Sequence, residues 1–246
     1  MTETRLNDFA AATAALPAEG LLEWALEQFG PRVALACSLG AEDQVLTDMV
    51  GRASLPLPIF TIDTGRLPPE THEVLQATRE RYNIEIEVLF PAADDLQPLL
   101  AQRGPNFFRD SVGDRRLCCH IRKVLPLQRR LMSLDAWVTG LRREQAPTRC
   151  DLQRVAWDES NRLIKLNPLA DWTAEQTWDY IRRHDVPYNA LHDRGYPSIG
   201  CEPCTRAIEP GEDIRAGRWW WEQPEHKECG LHPQRRPLRR SKEVTS

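Results

Sequence analysis

The chain has 246 residues, 41% hydrophobic and 28% charged, with a formal net charge of −4. That balance suits a globular protein with one good-sized core, and it gives no overall reason to expect nucleic acid or an acidic membrane as partner. No stretch approaches the length of a membrane span, and the polar start Met1–Arg5 leads into an Ala-rich segment with no apolar signal region, so the expected location is the cytoplasm.

Taken in order, the segments alternate between strand and helix. Gly20–Gly30 places Leu21, Leu22, Ala25 and Phe29 at helical spacing, and Gly30-Pro31 ends it. Arg32–Ser38 is a short apolar run of the kind that forms a buried parallel strand. A helix follows over Ala41–Val50, a second strand over Pro58–Thr64, a helix from Pro69 to Tyr82 and a third strand over Ile84–Phe90. Asp114–Met132 reads as mostly helical, Ala136–Leu141 as a fourth strand, and Val155–Asp158 with Leu163–Leu166 as a short hairpin. Thr173–His184 opens with a capping residue and an acid and reads as a helix. This repetition predicts an α/β fold, a parallel sheet with helices on both faces. The boundary falls near residue 209. From Pro210 to Ser246, Gly, Pro, Trp and charges mix without periodicity, which predicts a flexible C-terminal tail folding over the body.

The cysteines carry the sharpest signal. Cys118 and Cys119 are adjacent, Cys201 and Cys204 form a C-x-x-C pair, and Cys229 stands alone in Glu228-Cys229-Gly230-Leu231-His232. Two tight pairs of thiols suggest one metal centre. Adjacent residues can hardly fill two corners of a tetrahedral zinc site, whereas a [4Fe-4S] cluster offers a separate iron to each thiolate, so the spacing favours the cluster. The seven cysteines do not resemble a secreted disulfide framework. A fifth thiol beside a glycine and a histidine, on a tail, suggests a nucleophile. Cys37 reads as a small core residue, and Cys150 has no assigned role.

Two turns point to a ligand at one sheet edge. Ser38-Leu39-Gly40-Ala41-Glu42-Asp43 lies between a strand and a helix, where backbone N–H groups can meet an anion; the plainer reading is a turn capped by Ser38. Asp63-Thr64-Gly65 closes the second strand at the same edge, as a second ligand loop or an ordinary Asx turn. Together they fit an adenosine carrying a phosphate. Lys123, Arg142, Arg143, Arg215 and Arg218 add positive charge there, suited to a substrate with more than one negative charge; Arg235–Arg240 reads as a solvated end. His120, His184 and His192 read as structural. Trp219-Trp220-Trp221 reads as packing of the tail, with docking of a partner or a lid as the sharper alternative.

Cys118–Leu127, Gly140–Arg143, Cys201-x-x-Cys204 and the Cys229–His232 tail together resemble assimilatory adenylyl-sulfate (APS) reductases, the cluster-bearing branch of the phosphoadenylyl-sulfate reductase family. The likeness runs from about Gly20 to His232. It implies a fold like that of the adenine-nucleotide alpha-hydrolases, whose ATP pyrophosphatase members carry a Ser-Gly-Gly-x-Asp-Ser loop. Here Leu39 replaces the first glycine and Ala41-Glu42-Asp43 follows Gly40, which suits an enzyme that expels no pyrophosphate. The resemblance implies reduction of APS to sulfite and AMP through an S-sulfo intermediate on Cys229, with thioredoxin or a glutaredoxin-like protein as reductant, in sulfate assimilation and cysteine biosynthesis. His232 and the basic residues would bind the anionic substrate. Preference for APS over 3′-phosphoadenylyl sulfate stays open, as does a homo-oligomer. A cluster-bearing tRNA thiolation enzyme lacks its pyrophosphatase loop here, and a non-enzymatic iron–sulfur sensor has no use for the nucleotide turns.

Overall fold

The computed structural model describes residues 2–146 and 149–223. Six strands form one sheet: β1 (Val33–Ala36), β2 (Ile59–Ile62), β3 (Glu87–Leu89), β4 (Ala136–Val138), β5 (Val155–Asp158) and β6 (Leu163–Leu166). Their spatial order is β3-β2-β1-β4-β6-β5, and every pairing is parallel except the β5–β6 hairpin at the edge. The buried runs Val-Ala-Leu-Ala and Ala-Trp-Val sit in the middle strands β1 and β4, because only strands covered on both faces can be apolar throughout.

The described residues also form eight α-helices: α1 (Glu3–Thr13), α2 (Ala18–Phe29), α3 (Ala41–Arg52), α4 (Pro69–Tyr82), α5 (Ala93–Arg103), α6 (Val112–Cys119), α7 (Leu125–Leu131) and α8 (Ala174–His184). α2, α3 and α8 help to bury one face of the sheet, where Leu21, Leu46 and Ile181 join Leu35 and Val138. α7 covers the other face, where Leu127 and Leu131 meet Phe60 and Trp137. The predicted helix over Asp114–Met132 is present with a change of pitch: His120–Val124 is π-helical between α6 and α7. Two helices escape the periodicity reading. α1 buries only Phe9 and Thr13, and α5 buries none of its residues, so neither shows a marked apolar stripe.

One buried carboxylate joins three helices. Asp48 of α3 is inaccessible to solvent, and its two oxygens accept from Tyr82 of α4 and Tyr180 of α8, both at 2.7 Å. Gly51, one turn on, lets the Tyr82 ring lie flat against α3, since a Cβ there would stand 2.6 Å from Tyr82 Cγ. A hydrogen bond to a charged group contributes about 1.5–3 kcal/mol. Tyr82→Phe and Tyr180→Phe should each lower the unfolding free energy by about 2 kcal/mol in urea titrations. The double variant should lose more than the sum, because it strands the carboxylate. Strict additivity with losses below about 0.5 kcal/mol would show that the carboxylate ties nothing together.

Candidate active site

β1 has β2 on one side and β4 on the other, so the loops leaving β1 and β4 diverge at the carboxyl edge of the sheet. A crevice at such a reversal is where open α/β sheets bind ligands. Here it holds a cavity of about 760 Å³, within the range of small-molecule sites. Ser38, Gly40, Thr64, Lys123, Arg142, Arg215 and Arg218, all expected at the site, line it. Asp63, Gly65 and Arg143 do not. Asp63 accepts from the Gly65 N–H at 2.7 Å and pairs with His72 at 2.9 Å, which is the Asx-turn alternative. Arg143 donates to the Leu152 carbonyl and pairs with Asp171, holding the following loop in place. Cys229 and His232 lie outside the described residues.

In the loop after β1, expected as an anion cradle, both Ser38 donors are taken by the chain's own Asp43. One Asp43 oxygen accepts from the Ser38 N–H at 2.7 Å and from the Ser38 hydroxyl; the other accepts from the Gly140 N–H at 3.0 Å. Asp43 thus binds the loop after β1 to the loop after β4. Burial pushes its carboxyl up to about 6, and the bonds from Ser38 and Gly140 oppose that rise. Only glycine fits at 140, because a Cβ would stand 2.3 Å from Asp43 Oδ1. Leu39 sits at φ +62° with its side chain buried. The left-handed bend that a glycine adopts freely is therefore kept, at a cost of about 1–2 kcal/mol that the buried side chain offsets.

Around Lys123 the cavity adjoins the four paired cysteines. Cys118, Cys119, Cys201 and Cys204 are all buried in one layer with Phe107, Phe108 and Trp219, and among the described residues none forms a disulfide. They surround a small cleft bordered by Arg66, Arg115, Arg122, Lys123 and Arg218. Burial raises the Cys118 thiol and pushes Cys204 up to about 12. At Cys201 burial also works upward, but Lys123, the Thr64 hydroxyl, Arg218 and Arg122 together bring the thiol below its usual value. Among the described residues, the buried Arg122 Nε and Trp219 Nε1, which border this cleft, have no hydrogen-bond partner. Among the described residues, no group of three or more Cys, His, Asp or Glu is arranged to hold a single metal ion. Thiols spread around a cleft, five cations and two unsatisfied donors suit a polynuclear anionic group better than one zinc.

The π-helical turn places Arg122 and Lys123 immediately after the cysteine pair, and Arg122 donates to the Thr64 carbonyl at 2.6 Å. From the other side, Arg218 bonds to the Ile199 carbonyl at 3.0 Å. The Trp219 ring lies between the guanidinium carbons of Arg115 at 4.5 Å and Arg218 at 4.7 Å. Arg115 is fully buried and forms a two-pronged pair with Glu222 at 2.9 and 2.7 Å, which seats the segment around Trp219 on α6. Trp220, by contrast, is 40% exposed.

Sequence reasoning passed over several contributors. Asp43 and Glu42 stand in the quoted loop, but nothing in their spacing shows that one is turned inward. Arg149 also lines the cavity, and its fellow lining residue Gln145 accepts hydrogen bonds from both Arg149 and the Arg142 N–H. His192, read as structural, lines the cavity too. Cys37 is the core thiol it was expected to be, pushed up to about 12 by burial.

Comparison with known proteins gives this geometry a lineage. A phosphoadenosine phosphosulfate reductase domain matches residues 32–207. Adenosine 5′-phosphosulfate reductase of Allochromatium vinosum is 54% identical over 200 residues, covering 81% of this chain and 78% of that protein. The Burkholderia cepacia protein of the same name is 53% identical over 214 residues, 86% of each chain. Among solved structures, phosphoadenylyl-sulfate reductase from Candida auris, a phosphate complex, superposes with a TM-score of 0.72 at 26% identity, covering 85% of this chain and 98% of that one. Yeast FAD synthetase shares the fold alone, with a TM-score of 0.53 at 17% identity over 84% of this chain and 69% of its own. The domain match spans every strand and both cysteine pairs, so this chain belongs to the phosphoadenosine phosphosulfate reductase family.

Proposed function

We propose that this protein reduces adenylyl sulfate to sulfite and AMP in sulfate assimilation, with Cys229 as nucleophile and thioredoxin, or a glutaredoxin-like protein, as reductant. The observation that carries the reading is the cavity at the switch point, lined by Lys123, Arg215 and Arg218 and adjoining four buried thiols. The names of the similar reductases support the substrate.

The Cys229 thiolate attacks the sulfate sulfur of the bound nucleotide. A sulfur–sulfur bond forms, the bridging sulfur–oxygen bond breaks, and AMP leaves with that oxygen, so Cys229 carries the sulfonate. An anion attacking an anion needs fixed positive charge at the reacting atoms. Lys123, Arg215, Arg218 and, from the tail, His232 supply it. A thioredoxin thiolate then attacks the Cys229 sulfur and sulfite departs with the bonding electrons. The second thioredoxin cysteine resolves the mixed disulfide and returns Cys229 as a thiol. Residues 210–246, taken as a tail beside the body at 1–209, carry Cys229; within them the segment around Trp219 is seated on α6 through the Arg115–Glu222 pair, so the movement that brings Cys229 to both partners falls after Glu222.

Cys118, Cys119, Cys201 and Cys204 would hold a [4Fe-4S] cluster, with Arg122 Nε and Trp219 Nε1 as donors to its sulfurs. When bound, it supplies an anchor for these two segments and a charge that orients Lys123, with no change of redox state needed for two-electron thiol chemistry. No helix among the described residues is long and apolar enough to cross a membrane, in keeping with a cytoplasmic enzyme.

Two outcomes test this. Anaerobically purified protein should be brown and hold about four irons per chain, and Cys201→Ser should lose iron and activity together. A colourless, active protein with one zinc would contradict the cysteine assignment. Lys123→Ala should slow sulfonation of Cys229 by about 10²–10³ while changing AMP affinity far less, because its charge matters most at the sulfur. Equal losses in AMP binding and in turnover would make Lys123 a uniform binder.

A further inference from the structure

Between Arg206 and Gly217 the chain runs as a loop with neither helix nor strand, yet both of its ends are pinned. At the base, Thr205 and Arg218 form an antiparallel bridge. The Arg206 N–H donates to the Gly217 carbonyl and the Trp219 N–H to the Cys204 carbonyl, both at 3.0 Å. The Ile208 N–H donates to the Gly195 carbonyl at 2.8 Å, which ties one limb to the segment before the second cysteine pair. The rest of the loop forms cavity wall. Glu209, Pro210 and Gly211 at its bend, and Ile214 and Arg215 on the returning limb, all line the cavity.

A side-chain pair inside the loop sets the shape of this bend. Arg206 meets Glu212 in a two-pronged contact, Nη2 to Oε1 at 2.9 Å and Nη1 to Oε2 at 3.0 Å. The same Oε2 accepts from the Glu209 N–H at 2.8 Å, and the Glu212 N–H returns a bond to the Glu209 carbonyl at 3.1 Å. Asp213 continues the turn. Its Oδ1 accepts from the Arg215 N–H at 2.8 Å, and its carbonyl accepts from the Ala216 N–H at 2.8 Å. The Arg215 carbonyl in turn accepts from the Arg218 N–H at 2.9 Å. Bonded contacts thus run from Arg206 at the base, through Glu212 and its neighbour Asp213, to the backbone of Arg215.

Neither stability nor charge accounts for the Arg206–Glu212 pair. Its side chains are 38% and 33% exposed, and ion pairs so exposed add little to folding. Glu212 stands between Glu209 and Asp213, beside a cavity whose proposed ligand is an anion, so by charge alone it opposes binding. What a two-pronged pair does supply is fixed geometry. We infer that Glu212, buckled to Arg206, is a positioning residue: it sets the bend that presents Arg215 to the anionic end of the bound nucleotide. This rests on the proposed function, which gives Arg215 an anion to meet. Acting through Arg215, Glu212 promotes a reaction that its own charge disfavours.

The rate of Cys229 sulfonation at limiting adenylyl sulfate tests this, read by intact mass on the full, anaerobically purified chain without reductant. Arg215→Ala should slow it by about a hundredfold. Glu212→Ala should slow it by about tenfold through misplacement of Arg215, with iron content and urea midpoint unchanged. Added to Arg215→Ala, it should slow the reaction no further, because both act through one side chain. Glu212→Gln keeps an acceptor for Arg206 or the Glu209 N–H and should stay within about threefold of the unmodified chain. An unchanged or faster rate in Glu212→Ala would overturn the inference, since charge alone predicts that direction. Losses that multiply in the double variant would overturn it too, as would loss of iron from Glu212→Ala. No sulfonate on Cys229 of the unmodified chain would instead overturn the proposed function, and this inference with it.

Discussion

The Asp43 carboxylate spans the point where the strand order reverses, and the cavity depends on that contact. Its two oxygens hold the loop after β1 through Ser38 and the loop after β4 through Gly140. Without it, two divergent loops would carry unsatisfied buried N–H groups at the edge where the ligand belongs. The arrangement also fixes what the loop can do. The two Ser38 donors already face an internal carboxylate, and Glu42 beside it adds a second negative charge at the start of α3. A helix N-terminus with two acids in its first turn is a poor pyrophosphate site. The fold shared with nucleotide-handling enzymes is kept while the loop's chemistry is changed.

Positive charge is correspondingly concentrated on the other side. Lys123 lines both the large cavity and the cysteine cleft, and so does Arg218. They come from segments far apart in sequence, one following Cys119 and one following Cys204. Trp219, held between Arg115 and Arg218, and the buried Arg115–Glu222 pair lock the second segment to the first. Breaking a buried pair by removing one partner typically costs about 3–5 kcal/mol. Glu222→Ala would therefore disturb the cysteine layer from a residue that touches no thiol.

How much of this was legible depends on range. Local patterns were readable: the buried strands β1 and β4, the β5–β6 hairpin and α8 with its Thr173 cap all follow from spacing and capping chemistry. α1 and α5 were not, because a helix that buries little leaves little periodicity to read. The π-helical turn at His120–Val124 was invisible as well, since no residue type marks it. At the site, residues chosen for charge or glycine near strand ends largely reached the cavity. The exceptions, Asp63, Gly65 and Arg143, have local partners that satisfy them. Inward-turned acceptors were missed for the opposite reason. Asp43 and Glu42 gain their roles from partners roughly 100 residues away, and sequence spacing carries no record of such contacts.

The account stands on Cys229 being the atom that accepts the sulfonate. The most direct measurement is intact mass after incubation with adenylyl sulfate and no reductant, followed by peptide mapping. The account requires one sulfonate per chain, on Cys229, absent from Cys229→Ser and retained in Cys37→Ser and Cys150→Ser, with thioredoxin releasing it as sulfite. A sulfonate on Cys150, or full turnover by Cys229→Ser, would contradict it.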